Sequence, residues 1–180
     1  MQGMYKTERA PGRQARGMTT DTDTAPAAVP ALAPHVPLAP APAPVRFDTK
    51  IAVLLREDLE TWQRLNVTAF LVSGLGPALP EVIGAPYADA DGTPYLPMFR
   101  QPVLVFEGTA GTLGAAHGRA VSRALPLAVF TSDLFATGND RDNRAAVRAV
   151  PRDGLDLVGL AVYGPRNAVD KVLKGARMHP

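Results

Sequence analysis

Asp133 and Thr137 stand where residues of their types could do chemistry. The segment Leu127 to Thr131 (LAVFT), which ends two residues before Asp133, reads as a buried strand, and open α/β sheets place ligands beyond the C-terminal ends of their strands. A carboxylate there can orient or deprotonate a water molecule, and a hydroxyl four residues on can donate a hydrogen bond. The alternative for Asp133 is a helix cap. Asn66 falls in the middle of an expected helix, where asparagine is a poor helix former. It either points into a cleft as a ligand contact or faces solvent.

Other polar groups have plainer readings. Arg141, Arg144 and Arg148 share one helical face, and Lys171, Lys174 and Arg177 nearly do. They form either a phosphate or RNA patch or solvated faces with cations near helix C-termini. Asp89, Asp91, Asp140 and Asp142 lack the spacing and closing Glu of a calcium loop, so turn and cap chemistry is expected of them. The chain has no cysteine, and His35, His117 and His179 are far apart. Thiolate chemistry and disulfides are thereby excluded, and neither a metal nor a cofactor is expected. His117 is expected on a helix surface. Trp62 and Phe70 are expected in the core, since aromatic residues are only 6% of the chain and do not interleave with basic ones as a stacking surface would.

With 19 Lys plus Arg against 17 Asp plus Glu, the net charge of +2 is too small to steer a polyanion. The longest apolar runs, about ten residues, fall short of the ~20 that cross a bilayer. A cytoplasmic protein is expected. Residues 1–45 hold eight of the 18 prolines, a density that blocks helix and sheet alike and offers little to bury. They are expected to be a disordered tail, serving either as a tether or as a docking segment for a proline-reading partner. Met18 is an alternative start.

The elements that must position these groups lie in residues 46–180. Strands are expected at Lys50–Leu55, Pro102–Glu107, Leu127–Thr131 and Leu155–Val162. A first helix, with Asp58 able to cap it, carries an apolar stripe of Leu59, Trp62, Leu65, Ala69 and Val72 and ends at Gly74 and Gly76-Pro77. Asp91-Gly92 marks a hairpin between Tyr87 and Tyr95. Further helices are expected at Thr109–Ala124, capped by Thr109 or Thr112, at Asp140–Ala149 and at Pro165–Leu173. Strands alternating with helices imply a layered α/β domain, and runs such as VLVF need helices on both faces of the sheet.

The order of these segments resembles the type-2 peptidyl-tRNA hydrolases. KIAVLLREDLETWQRLNVTAFLVSGL is similar to their opening strand and helix. QPVLVFEGTAGTLGAAHGRAVSRALPLAVFTSD is similar to their second strand, helix and third strand, and GLAVYGPRNAVDKVLKGARM to their close. RLNVTAF, DGTPYLPMFRQP and FATGNDRDNRAAV bring the chain closer to a bacterial family known as domain of unknown function 2000. The resemblance implies a three-layer α/β/α fold with a mixed four-stranded sheet. It implies that Asp133 and Thr137 match the hydrolases' D-x-G-x-T, with Phe135 in place of the Gly, and that Arg56 and Asp58 match R-x-D-L. The hydrolases' helix Lys has no counterpart: Leu65 or Asn66 falls there, with Arg64 one position off, and Thr68 follows on the same segment.

Asp133 and Thr137 are thus the candidate catalytic residues. Arg56, Asp58, Arg64, Asn66 and Thr68 are the candidate substrate contacts. Two functions follow. One is a metal-free hydrolase of an acyl ester or another small acylated substrate. The other is a non-catalytic small-ligand-binding or regulatory module on the same fold. Nucleic-acid binding through the basic faces is a weaker third, and a homodimer suits a small domain of this fold.

Overall fold

The computed structural model describes residues 45–180. The proline-rich segment, His35 and Met18 lie outside them. β1 (Thr49–Arg56) buries every residue from Ile51 to Leu55, because it has a neighbour on each edge and helices on each face. α1 (Thr61–Ala78) starts from Glu60, not Asp58: the Gln63 side chain accepts the Glu60 N–H at 2.8 Å. α1 also runs through Gly74 and Gly76-Pro77 rather than ending there. Leu75 is buried and anchors the last turns, and a proline there removes one hydrogen bond without ending the helix.

β2 (Tyr87–Ala88) and β3 (Pro94–Tyr95) form the expected hairpin, with Gly92 at φ +82° in its turn. The Asp89 carboxylate accepts the N–H groups of Thr93 (2.8 Å) and Asp91 (3.0 Å) and the Tyr95 hydroxyl (2.8 Å). Hydrogen bonding, led by Thr93, holds that carboxyl below its ordinary range. β4 (Val103–Gly108) follows, then α2 (Ala110–Ser122), whose cap is Thr109, accepting the Thr112 N–H at 3.2 Å. β5 (Leu127–Thr131) leads through a tight turn, Ser132–Ala136, to α3 (Asp140–Arg148), capped by Asn139. β6 (Leu157–Pro165), α4 (Arg166–Val172) and β7 (Arg177–Met178) complete the chain.

The main sheet has five strands in the order β5-β6-β1-β4-β7, not four. β7 escapes sequence reading because two exposed residues carry no apolar pattern. It is held by pairing with β4 (Phe106↔Met178) and by an Arg177–Glu107 ion pair of 2.8 Å. β1, β4 and β5 run one way and β6 the other, so Arg56, Gly108 and Thr131 lie at the same end of the sheet.

Alternation along β1 sorts the core. Ile51, Val53 and Leu55 face Val67, Leu71 and Leu75 of α1. Ala52 and Leu54 face Leu113, Ala116 and Ala120 of α2 and Val169 and Val172 of α4. Each fully buried Leu or Val contributes roughly 1.5–3 kcal/mol. The buried stripe of α1 is therefore not the expected one. Trp62 is 59% exposed, Leu65 69% and Phe70 52%. α1 is apolar on several faces, and Gly159 of β6 decides which one packs. A β-carbon there would lie 2.5 Å from Val67 Cγ1 and 3.0 Å from Leu71 Cδ1, so α1 sits directly on backbone.

Thr131 is fully buried and its hydroxyl has no hydrogen-bond partner among the described residues. An unsatisfied buried hydroxyl is costly. Thr131→Val is expected to raise stability by about 1 kcal/mol, read from the denaturant midpoint; a loss would show that the hydroxyl has a partner. Among the described residues no helix is long and apolar enough to cross a membrane.

Candidate functional site

The seven candidate residues fall into separate groups. At the end of β1, Arg56 donates from Nε to Asp58 (2.7 Å) and from Nη1 to Asp156 (2.6 Å). Burial works against the Arg56 charge, but the two carboxylates hold its pKa above the ordinary value.

Arg64 turns the other way on the first turn of α1. It donates to the Leu59 carbonyl (2.9 Å), to the Glu57 carbonyl and to Glu107 Oε2 (2.8 Å). Its donors are committed to the protein. The Glu107 carboxylate, 7% exposed, also takes Arg177 Nε at 2.8 Å. Hydrogen bonds from Arg64 and then Arg177 hold the Glu107 carboxyl below its usual range. Thr68 donates back to the Arg64 carbonyl at 2.7 Å, a bond within the helix.

Asn66 and Thr137 meet on one cleft of about 670 Å³. Its walls are the outer face of α1, the open edge of β5, the turn Ser132–Ala136 and the start of α3. Trp62, Asn66 and Phe70 reach it together because they are four residues apart on α1. The turn that follows β5 brings up Phe135 and Thr137. Trp62 meets Phe135 edge-on at 5.6 Å between ring centroids, Phe135 meets Phe130 at 5.1 Å, and Phe130 meets Phe70 edge-on at 5.8 Å. The cleft thus has an aromatic floor with two half-exposed rings at its rim.

Apart from Asp140, its polar side chains are neutral amides and hydroxyls. The Thr137 hydroxyl donates to the Leu134 carbonyl (2.9 Å) and meets the Asn143 side-chain amide. Asn66 is exposed, and none of the described side-chain hydrogen bonds engages its amide. The β5 backbone adds to these. The Tyr163 N–H donates to the Pro126 carbonyl at 3.2 Å. The antiparallel alternation then turns the Val129 N–H and C=O away from β6, to the open edge. The one charged residue lining the cleft, Asp140, is paired with Arg144 at 2.9 Å.

Asp133 does not line this cleft. It is exposed on the first turn after β5, and its side chain caps no helix. Trp62 and Phe70, expected in the core, line the cleft instead, and Asn143 joins them with no signal in the sequence. The signal was there for Trp62 and Phe70, which bracket Asn66 at helical spacing.

The basic face of α3 is partly neutralised, since Arg141 pairs with Asp142 (3.2 Å) as Arg144 does with Asp140. Arg177 is likewise engaged, with Glu107 and with Glu57 at 3.4 Å. His117 is half-buried on α2, and desolvation, followed by the nearby Arg152, lowers its pKa.

A family profile described as "Protein of unknown function (DUF2000)" matches residues 49–180. No curated protein matches the chain. Among solved structures, a protein of unknown function from Agrobacterium tumefaciens strain C58 is 42% identical, with a TM-score of 0.73. The match covers 75% of this chain and all of that one (100%).

Proposed function

The chain belongs to the protein family of unknown function DUF2000, and since membership assigns no chemistry, we propose a function from the cleft itself: it binds a small, uncharged ligand with a flat apolar body and an amide-like edge. The observation that carries this is the pairing of half-exposed Trp62 and Phe70 with the unengaged Asn66 amide between them. Aromatic walls bury a flat ring, and a few placed polar groups set its orientation. With no unpaired charge lining the cleft, an ionic ligand gains little from it. The proposed working unit is residues 46–180, in a three-layer arrangement like that of the type-2 peptidyl-tRNA hydrolases. Helices against both faces of a mixed sheet support that reading.

Trp62 is the sole tryptophan, so its fluorescence reports on the cleft directly. Titration of the full chain with nicotinamide and benzamide is expected to change that fluorescence saturably. Asn66→Ala is expected to weaken binding roughly 5-fold, the worth of about one hydrogen bond. A flat response to both amides at millimolar concentration would overturn the proposal.

The hydrolase reading keeps one observation in its favour. Asp133 and Thr137 both follow the C-terminal end of β5, with Thr137 on the cleft and Asp133 open to water. Its test is deacylation of an N-acetyl-aminoacyl-tRNA by the full chain. Turnover lost in Asp133→Asn would assign the hydrolase function. Absence of turnover at high protein concentration would leave the binding role.

A further inference from the structure

We infer that the opposite end of the sheet carries a second site, for a small organic anion with an apolar body. A cleft of about 560 Å³ lies between the segment leading into β1 and the start of β4, with Arg166 at its side. It shares no lining residue with the aromatic cleft. Phe47, Pro102 and Leu104 make an apolar wall, and Arg46, Arg166 and Gln101 bring donors to it.

Gln101 is the informative residue. It is 7% exposed, among the few buried polar side chains of the described residues. Its Oε1 accepts the Thr49 hydroxyl at 2.9 Å, whereas its amide nitrogen engages no acceptor among the described residues and is not sealed from solvent. A buried side chain that presents a donor to a cleft is satisfied by an acceptor arriving there.

The charges agree. Lys50 also lines the cleft but is neutralised by Asp170. Arg46 and Arg166 take part in no ion pair among the described residues, and Asp48 is the one carboxylate lining this cleft. Two unpaired guanidinium groups against one carboxylate leave an excess positive charge, and a guanidinium fork matches a carboxylate or a phosphate. The apolar wall then selects an anion carrying a ring or a short chain over a bare inorganic ion.

The test is calorimetric titration of the full chain with benzoate and phenyl phosphate, with benzyl alcohol as the uncharged analogue. Saturable binding of at least one anion is expected, with benzyl alcohol binding at least about 10-fold more weakly. The tighter of the two anions identifies the head group as carboxylate or phosphate. Arg166→Gln is expected to weaken binding about 10-fold. Gln101→Glu, which keeps the side chain's shape but places a carboxylate where the donor was, is expected to abolish it. Unfolding midpoints of both variants close to that of the parent chain exclude misfolding as the cause. Failure of both anions to bind, equal binding of benzyl alcohol, or binding unaltered in a folded Arg166→Gln or Gln101→Glu chain would overturn the inference.

Discussion

Gly159→Val is expected to cost about 3 kcal/mol or more of folding stability, read as a fall in the denaturant midpoint at unchanged slope. The reason is local. A β-carbon at Gly159 would stand 2.5 Å from Val67 Cγ1, 3.0 Å from Leu71 Cδ1 and 3.4 Å from Leu55 Cδ2. All three side chains are buried in the same cluster, so none can swing aside into solvent. Valine adds two further methyl groups to that conflict, and α1 must lift from the sheet. Gly159→Ala is expected to lose roughly half as much, since a single methyl group asks for a smaller retreat. A Gly159→Val chain within about 0.5 kcal/mol of the parent would show that α1 is not seated on β6 as described. The consequence reaches the aromatic cleft, because Trp62, Asn66 and Phe70 ride on the outer side of the same helix. Ligand binding is therefore expected to weaken along with stability.

Glu107→Gln is expected to lower Tm by about 5 °C at neutral pH. Among the described residues Glu107 is the one carboxylate paired with both Arg64 and Arg177, and it joins the start of α1, β4 and β7 through those two guanidinium groups. Glutamine fills the space but leaves Arg64 without a carboxylate and Arg177 with Glu57 alone. The pH dependence follows from the depressed folded-state pKa of Glu107. A carboxyl whose pKa is lowered on folding stabilises the native state above its unfolded-state pKa, and that stability is lost as pH falls through the folded-state value. The difference in Tm between parent and variant is thus largest at neutral pH and closes in the acid range, below the ordinary titration of glutamate. Thermal melts at several pH values provide the check. A gap that stays constant down to strongly acidic pH would show that the network carries no linked stability. High salt is expected to narrow the gap only in part, since Glu107 is buried while Arg177 is exposed.

Much of the architecture is legible in the sequence because it is local. LAVFT, VLVF and KIAVLL announce strands by their β-branched and aromatic content, Thr109 caps its helix, and Asp91-Gly92 turns its hairpin. Two features depend on partners far along the chain. The packing face of α1 cannot be read from a helix with apolar residues on several sides, since the choice is made by Gly159, about 90 residues away. β7 is two residues long and exists through pairing with β4 and through Glu107. The same difficulty hides half of the aromatic cleft. Trp62 and Phe70 look like core by composition, and only the buried Val67, Leu71 and Leu75 leave them on the outside. Asn66 was conspicuous because a polar residue interrupts that helix. The placement of Asp133 was not readable, since the tight turn after β5 directs Phe135 and Thr137 to the cleft and Asp133 to water.

The order in which the main sheet is assembled sets the order in which the chain can fold. β1 is among the first described residues, yet its antiparallel neighbour is β6, with Thr49 opposite Pro165. β6 also stands between β1 and β5. Until it is made, a growing chain has β1 and β4 able to pair while β5 has no neighbour in the sheet, and α1 lacks the glycine on which it seats. Closing that long loop costs entropy before any contact across it repays the cost. The domain therefore becomes cooperative late in its own synthesis, and until β6 is made LAVFT is an apolar strand without its native neighbour.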